Sequence, residues 1–195
     1  QFWIARQMSY GVPLYERIME INPPLWFWMA LPLQIVGTHS GVQPDRLYIA
    51  AIILISAWSI LTTGKLIFEK EPERRFGAMI AMLAFVWVGP IYDFGQREQL
   101  AIILAIPYCA LIFKRVRNEP VSTSLVVAIS ITAACGFALK HYFALVPFLL
   151  EVWYFAHHRK MMRVFRLETV LLGLCACTYS AAILYFTPEF LSTVV

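Results

Sequence analysis

Long apolar runs separated by short charged clusters dominate the hydrophobic pattern of this sequence. Six runs are long enough, or nearly long enough, to cross a bilayer as helices, since a span needs about 17 to 25 residues. They are predicted at Leu47–Phe68, Phe76–Ile91, Gln99–Phe113, Val121–Leu139, Tyr142–His157 and Leu167–Phe186. Several lie at or below the lower limit, which is tolerable where a helix end dips into a protein-lined cavity. The pattern predicts an all-α polytopic membrane helix bundle with about six transmembrane helices.

A seventh apolar run, Leu25–Val36, is too short for a span and is interrupted by Pro32. Its length gives about 18 Å of helix at the standard rise, whereas the hydrocarbon core is about 30 Å thick. The aromatic residues Trp26–Trp28 at its start favour the headgroup region. We predict a helix that lies in the outer interface or re-enters it. Residues 1–46 then form an outer loop with this interfacial helix, and residues 47–195 form the transmembrane bundle.

Composition agrees with lipid as the solvent, because only 14% of the residues are charged, whereas a soluble domain has about 25%. If the six spans alternate, 11 of the 16 Lys and Arg residues fall on one side. The positive-inside rule makes that side cytoplasmic and predicts a multi-pass protein of the bacterial inner membrane. Counting Leu25–Val36 as a span strengthens this bias, but its length and Pro32 argue against it. The net charge of +4 comes mainly from these loops and does not imply nucleic acid.

The few charges on the predicted outer face are the candidate functional residues. Arg97 and Glu98 open one span, and Lys140 and His141 occupy the tight turn between two others. Cations at membrane depth suit a lipid phosphate, while a carboxylate can take a proton from an acceptor hydroxyl. The alternative is that Arg97 pairs with Asp93 or Glu98 and only staples the loop.

Two further acidic residues stand out. Glu20 precedes the Asn22–Leu25 motif, whose two prolines restrict the backbone and start a helix at its first turn, so that Glu20 approaches the interfacial helix stiffly. Glu151 lies inside an apolar run. A carboxyl group that faces the bundle, hydrogen-bonded or protonated, explains Glu151 better than catalysis does.

Several motifs resemble the GT-C superfamily of membrane glycosyltransferases, which includes the protein mannosyltransferases and the aminoarabinose transferases of lipid A. The segments Ile4–Met8, Tyr15–Arg17 and Glu20–Leu25 look like the first outer loop of that family, where an Ala-Arg-(Glu/Gln)-Met helix leads to a Pro-Pro-Leu segment. Asp93–Leu100 stands where the family has an acidic residue that opens its next helix. Gly136–Lys140 is similar to a stretch of bacterial members.

The resemblance covers about residues 1–160 and implies transfer of a sugar from a polyprenyl-phosphate donor to a periplasmic acceptor, with inversion at the sugar carbon. It makes the acidic residues of the outer face catalytic candidates and its basic residues candidates for binding the lipid phosphate. The catalytic candidates are Glu20, Asp93 and Glu98, and the phosphate-binding candidates are Arg97, Lys140 and His141.

One departure from the family pattern concerns its principal catalytic carboxylate, which usually stands just before the Ala-Arg-Gln-Met helix. This sequence begins after that point, so we expect further segments before Gln1 and after Val195. Glu20 and Glu98 then become candidates for binding a divalent metal ion, the one cofactor that the sequence leaves open.

Two other function classes compete with the enzyme. The short spans, the aromatic and Met content and the incomplete catalytic set also fit a non-catalytic structural or accessory subunit of a larger membrane complex. A transporter needs polar groups from several helices inside the membrane, and Glu151 is the one candidate. The expected partners are membrane lipid, the polyprenyl-phosphate donor and, for the accessory role, other membrane subunits.

Overall fold

The structure, a computed structural model, describes residues 2–18, 20–92, 94–158 and 165–194, and within these ranges its regular elements are all helices. The all-α prediction is confirmed over these ranges. The helices are α1 (Phe2–Ser9), α2 (Leu25–Ser40), α3 (Pro44–Ile67), α4 (Pro72–Val88), α5 (Arg97–Val116), α6 (Thr123–Phe137), α7 (Leu145–His158), α8 (Leu167–Phe186) and α9 (Glu189–Val194). A 3-10 turn, His141–Ala144, leads into α7.

A helix occupies each of the six predicted spans, α3 to α8. Three of them, α3, α5 and α8, are long and apolar enough to cross a membrane, whereas α6 is apolar but shorter. The expectation of about six transmembrane helices is therefore supported for three. The charged segment 73–75 takes up the first turn of α4, and the 3-10 turn before α7 shortens that helix.

The predicted interfacial helix continues beyond its expected end at Val36 and runs to Ser40, with Pro32 in its interior. It stops where Gly41 takes a positive φ of 72° and donates its N–H to the Gly37 carbonyl. Gly37 itself sits tightly against the start of α3, because a Cβ there would lie 2.8 Å from the Val42 carbonyl oxygen. This close turn starts α3 at Pro44, three residues earlier than predicted.

Helix α5 is the central helix of the bundle. In its most apolar 18-residue stretch 61% of the residues are buried, against 33% for α3. It packs closely on α6, since a Cβ on Gly136 would lie 2.9 Å from the Leu104 Cβ. It also meets α3, where the Ser59 hydroxyl donates to the Ile103 carbonyl at 2.6 Å. Because α5 and α6 run in opposite directions, the start of α5 lies beside the end of α6.

Candidate functional site

The start of α5 and the end of α6 bring together two of the predicted site residues. Lys140 forms an ion pair with Glu98, and its ammonium lies 5.4 Å from the centroid of the Tyr142 ring. The hydrogen bond to Glu98 raises the pKa of Lys140. The lysine and glutamate side chains are 20% and 35% exposed. The cation that pairs with Glu98 is therefore Lys140 and not Arg97, as the stapling alternative had it.

Arg97 turns instead into the protein and is only 7% exposed. Its guanidinium carbon lies 5.6 Å from the centroid of the Phe27 ring of α2. Its Nε and Nη1 atoms are buried and have no hydrogen-bond partner among the described residues. A buried donor without an acceptor costs about 1–3 kcal/mol, and a guanidinium is always charged. Arg97 is thus a buried cation with free capacity for an acceptor.

Polar groups around Arg97 also hold the loop before α5. The Gly95 N–H, in a backbone with φ of 80°, donates to the Gln99 side-chain oxygen at 2.6 Å. The Gln99 side-chain nitrogen donates to the Val86 carbonyl at 2.9 Å. The Tyr48 hydroxyl is buried and has no hydrogen-bond partner within the described part of the chain, and the Trp26 ring centroid lies 6.0 Å from that of Tyr48. Gln99 therefore fixes the backbone that leads into Arg97, a role that the sequence did not predict.

Glu20 lies in a turn that its own neighbours hold in place. Its Oε1 atom accepts hydrogen bonds from the Asn22 backbone N–H at 3.0 Å and from the Asn22 side-chain amide at 2.5 Å. The Tyr15 hydroxyl donates to the Asn22 carbonyl at 2.5 Å. Burial raises the pKa of Tyr15; the Glu20 carboxylate adds to that rise and the Arg97 guanidinium opposes it. Glu20 and Arg97 therefore act on the same tyrosine.

A cavity of about 730 Å³ opens between α6, α7 and α8. Its wall is almost entirely apolar, and Pro23 and Leu25 of the Asn-Pro-Pro-Leu motif contribute to it. The exposed His141 lines it near the start of α7, and Glu151 lines it ten residues further on. At the helical rise these two residues lie roughly 15 Å apart along the helix. The cavity thus runs along α7 from His141, the neighbour of Lys140, to Glu151.

The positions of the remaining candidates complete the site. His141 begins the 3-10 turn beside Lys140, and its ring meets that of Tyr142 at 5.5 Å. Asp93 lies outside the described residues. Within the described ranges no group of three or more His, Cys, Asp and Glu side chains converges to hold a metal ion.

A second polar cluster lies at the other end of α5, where the sequence suggested only ordinary basic loops. Glu168, fully buried, accepts hydrogen bonds from Arg115 Nε at 2.9 Å and from Arg166 Nε at 2.7 Å. Arg166 also donates to Glu151 at 2.6 Å, and Thr169 donates to the same Glu151 oxygen at 3.3 Å. Glu151 is therefore hydrogen-bonded within the bundle, as predicted. Two arginines and two glutamates compose this cluster, which joins α5, α7 and α8.

No family model, curated protein or solved structure matches this chain. The resemblance to the GT-C superfamily therefore stays a prediction that the quoted motifs carry. The residues at the start of α5 supply the geometry on which a function can be proposed.

The strength of the Lys140–Glu98 ion pair can be measured, and it decides whether Lys140 is available to bind another anion. A double-mutant cycle with Lys140→Gln and Glu98→Gln should give a coupling energy of about 0.5–1 kcal/mol, because the pair is partly exposed and screened. Unfolding of the four proteins in mixed detergent micelles measures it. Strictly additive effects of the two substitutions would mean that Lys140 is free to serve another anion.

Proposed function

We propose that this protein is an integral membrane glycosyltransferase of the GT-C type. It moves a sugar from a polyprenyl-phosphate donor to an acceptor on the periplasmic side. The observation that carries the proposal is the buried Arg97 guanidinium with two unpaired donor atoms at the start of α5. Such a group is costly in the free protein, and a ligand phosphate with several acceptor oxygens relieves that cost through charge-assisted hydrogen bonds.

The donor phosphate binds chiefly to Arg97 in this proposal. The planar fork of an arginine matches phosphate oxygens in a bidentate manner. Lys140 shares its charge with Glu98 and contributes a weaker field, and His141 lies at the cavity beside it. The apolar cavity along α7 supports a lipid substrate, since its volume of about 730 Å³ falls in the range of 300–1,000 Å³ typical of ligand pockets. Part of the isoprenoid chain fits there.

The chemical step requires a carboxylate near the acceptor. The acceptor hydroxyl attacks the anomeric carbon from the side opposite the phosphate, its proton passes to the carboxylate, and the bond between that carbon and the phosphate oxygen breaks. Polyprenyl phosphate leaves with the electron pair, and Arg97 stabilises the added charge. Glu98, which pairs with Lys140, and Glu20, which accepts from Asn22, are the described candidates for this carboxylate, and Asp93 is the third candidate.

The topology that accompanies this proposal has six spans, α3 to α8, in the bacterial inner membrane. The basic clusters then face the cytoplasm, and the start of α5 faces the periplasm. Helices α4, α6 and α7 cross as short spans whose ends are covered by protein or dip towards water. Helix α2 lies along the outer interface, where its aromatic start favours the headgroups.

Binding of lipid phosphate tests the proposal without knowledge of the acceptor. Native mass spectrometry of the purified full-length protein should show stronger retention of polyprenyl phosphate than of the corresponding polyprenol. Arg97→Gln should lower the retention of polyprenyl phosphate by about 10-fold or more and leave polyprenol unchanged, because one charge-assisted bidentate contact is worth about 1.5–3 kcal/mol. Arg46→Gln is the matched control, since Arg46 is an exposed cation at the start of α3.

If the wild-type protein retains polyprenyl phosphate and polyprenol equally, the proposal of a glycosyltransferase is contradicted. The outcome then favours the second candidate, a non-catalytic structural or accessory subunit. That candidate is supported because these charged groups already have partners within the chain. Lys140 pairs with Glu98, and the Asn22 backbone N–H donates a hydrogen bond to Glu20. It predicts that other membrane subunits co-purify with the chain in stable stoichiometry.

A further inference from the structure

A notch at the opposite end of the molecule lies between the last turns of α3 and the first turns of α4. Its volume is about 460 Å³. Two cations and four apolar side chains line it: Leu61, Lys65, Pro72, Arg75, Phe76 and Met79. The composition differs from that of the apolar cavity along α7, because positive charge and apolar surface here share one wall.

The two notch cations have no ion-pair partner among the described residues, although three carboxylates lie nearby in the sequence. Glu71 pairs with Arg74 at 2.6 Å, and Glu69 lies 4.0 Å from Lys114. Glu73 is exposed, and none of these acids lines the notch. The positive charge inside the notch is therefore not neutralised locally.

Gly64 holds the two cations side by side. A Cβ on Gly64 would lie 3.0 Å from Met79 Cγ and 3.3 Å from Arg75 Cγ. The absence of a side chain thus lets α4 pack its Arg75 stem directly on α3, next to Lys65. Arg75 is half-buried as a result, and its guanidinium loses less freedom when it binds a ligand.

Apart from Pro72 at the start of α4, the apolar residues of the notch lie deeper along the helices than the cations. Lys65 is in the last turn of α3, a helix long enough to span a membrane, and Leu61 lies one turn before it. Phe76 and Met79 follow Arg75 into α4. Leu61 and Phe76 are both exposed. In a bilayer the cations reach the headgroup level while these side chains meet the acyl chains.

We infer that this notch binds an anionic phospholipid of the inner leaflet, with its phosphate between Lys65 and Arg75 and its acyl chains against Leu61 and Phe76. Two unneutralised cations favour a headgroup with net negative charge, such as phosphatidylglycerol. They disfavour phosphatidylcholine, whose phosphate carries a cationic partner. The leaflet assignment follows the proposed topology but does not depend on sugar transfer.

The test uses the full-length protein in a neutral detergent. Titration with phosphatidylglycerol should raise its melting temperature with saturation, whereas phosphatidylcholine and inorganic phosphate at the same concentrations should have little effect. Lys65→Gln and Arg75→Gln should each weaken the apparent affinity for phosphatidylglycerol about 5-fold, and the double variant roughly 25-fold. Lys70→Gln is the matched control, because Lys70 is an exposed lysine of the same loop outside the notch.

Two results overturn this inference. If Lys70→Gln weakens the affinity for phosphatidylglycerol as much as Lys65→Gln does, the attraction is a general property of the basic loop and not of the notch. If inorganic phosphate stabilises the protein as well as phosphatidylglycerol does, the notch is an anion site that makes no use of its apolar wall. Neither result alters the polyprenyl-phosphate test, which concerns the other end of the bundle.

Discussion

Arg97→Met is expected to make the ligand-free protein more stable and at the same time to remove the proposed preference for polyprenyl phosphate over polyprenol. The substitution removes a buried cation whose Nε and Nη1 atoms have no acceptor among the described residues. Methionine is unbranched and fills irregular apolar space, so it can occupy the place of the arginine stem against Phe27. Replacement of a buried charge by an apolar residue is often stabilising.

The size of this effect follows from two opposing terms. Loss of the contact with the Phe27 ring lowers the free energy of unfolding by roughly 1 kcal/mol. Removal of two unpaired buried donors raises it by about 1–3 kcal/mol for each donor. The net gain is therefore roughly 1–5 kcal/mol. For a chain of this length, 1 kcal/mol shifts the melting temperature by about 2–4 °C, so a rise of several degrees is expected.

Thermal unfolding in detergent measures the gain, and retention of polyprenyl phosphate by native mass spectrometry measures the loss of function. Arg46→Met should change neither quantity appreciably, since Arg46 is exposed. A fall in melting temperature for Arg97→Met would show that Arg97 supports the fold, and its proposed role in phosphate binding would lose its main argument.

The helices could be predicted from the sequence because the apolar runs and their breakers are local features. Both ends of helix α8 were predicted correctly, because the basic Arg166 precedes the helix and Pro188 follows it. Helix α2 was predicted too short. A tight turn through Gly37 and Gly41 ends the helix, whereas Pro32 in its interior does not. The number of transmembrane helices depends on the length of each apolar helix. A charged first turn shortens the apolar part of α4, and a 3-10 turn shortens α7.

The choice of partners at the start of α5 could not be predicted in the same way. The predicted alternation of six spans places Arg97, Glu98 and Lys140 on one face of the membrane, and nothing in the sequence says which of them meet. Neighbouring residues of a helix point in different directions. Glu98 therefore faces Lys140 at the end of α6, while Arg97 turns inward to Phe27. The alternative in which Arg97 pairs with Glu98 is therefore wrong, and its other form, in which Arg97 pairs with Asp93, lies outside the described residues.

The cluster around Glu168 at the end of α5 was missed for a related reason. Arg115 and Glu168 are 53 residues apart in the sequence, and each looks like an ordinary charge at a helix end. A signal was present, since Glu168 opens α8 directly after a basic loop and Glu151 interrupts an apolar run. Only the packing of α5, α7 and α8 shows that these charges are buried together.

Glu168→Gln should destabilise the protein more than any other single substitution considered for this cluster. Glu168 is fully buried and is the carboxylate to which both Arg115 and Arg166 donate. The amide removes the charge while it nearly preserves the shape, so two partly buried arginines lose their shared, fully buried counter-ion. Breaking a buried ion pair in this way costs about 3–5 kcal/mol, which corresponds to a fall in melting temperature of roughly 10 °C for a chain of this length.

Glu119→Gln is the matched control, because Glu119 also pairs with two cations, Lys114 and Arg117, but its own side chain is 34% exposed whereas that of Glu168 is fully buried. Its melting temperature should change little, since exposed pairs are screened by water and salt. Arg115→Met in the Glu168→Gln background should recover part of the loss by removing one uncompensated charge. Equal effects of Glu168→Gln and Glu119→Gln would mean that water reaches the cluster. This end of the bundle would then be held by apolar packing of α5 and α6 and not by these charges.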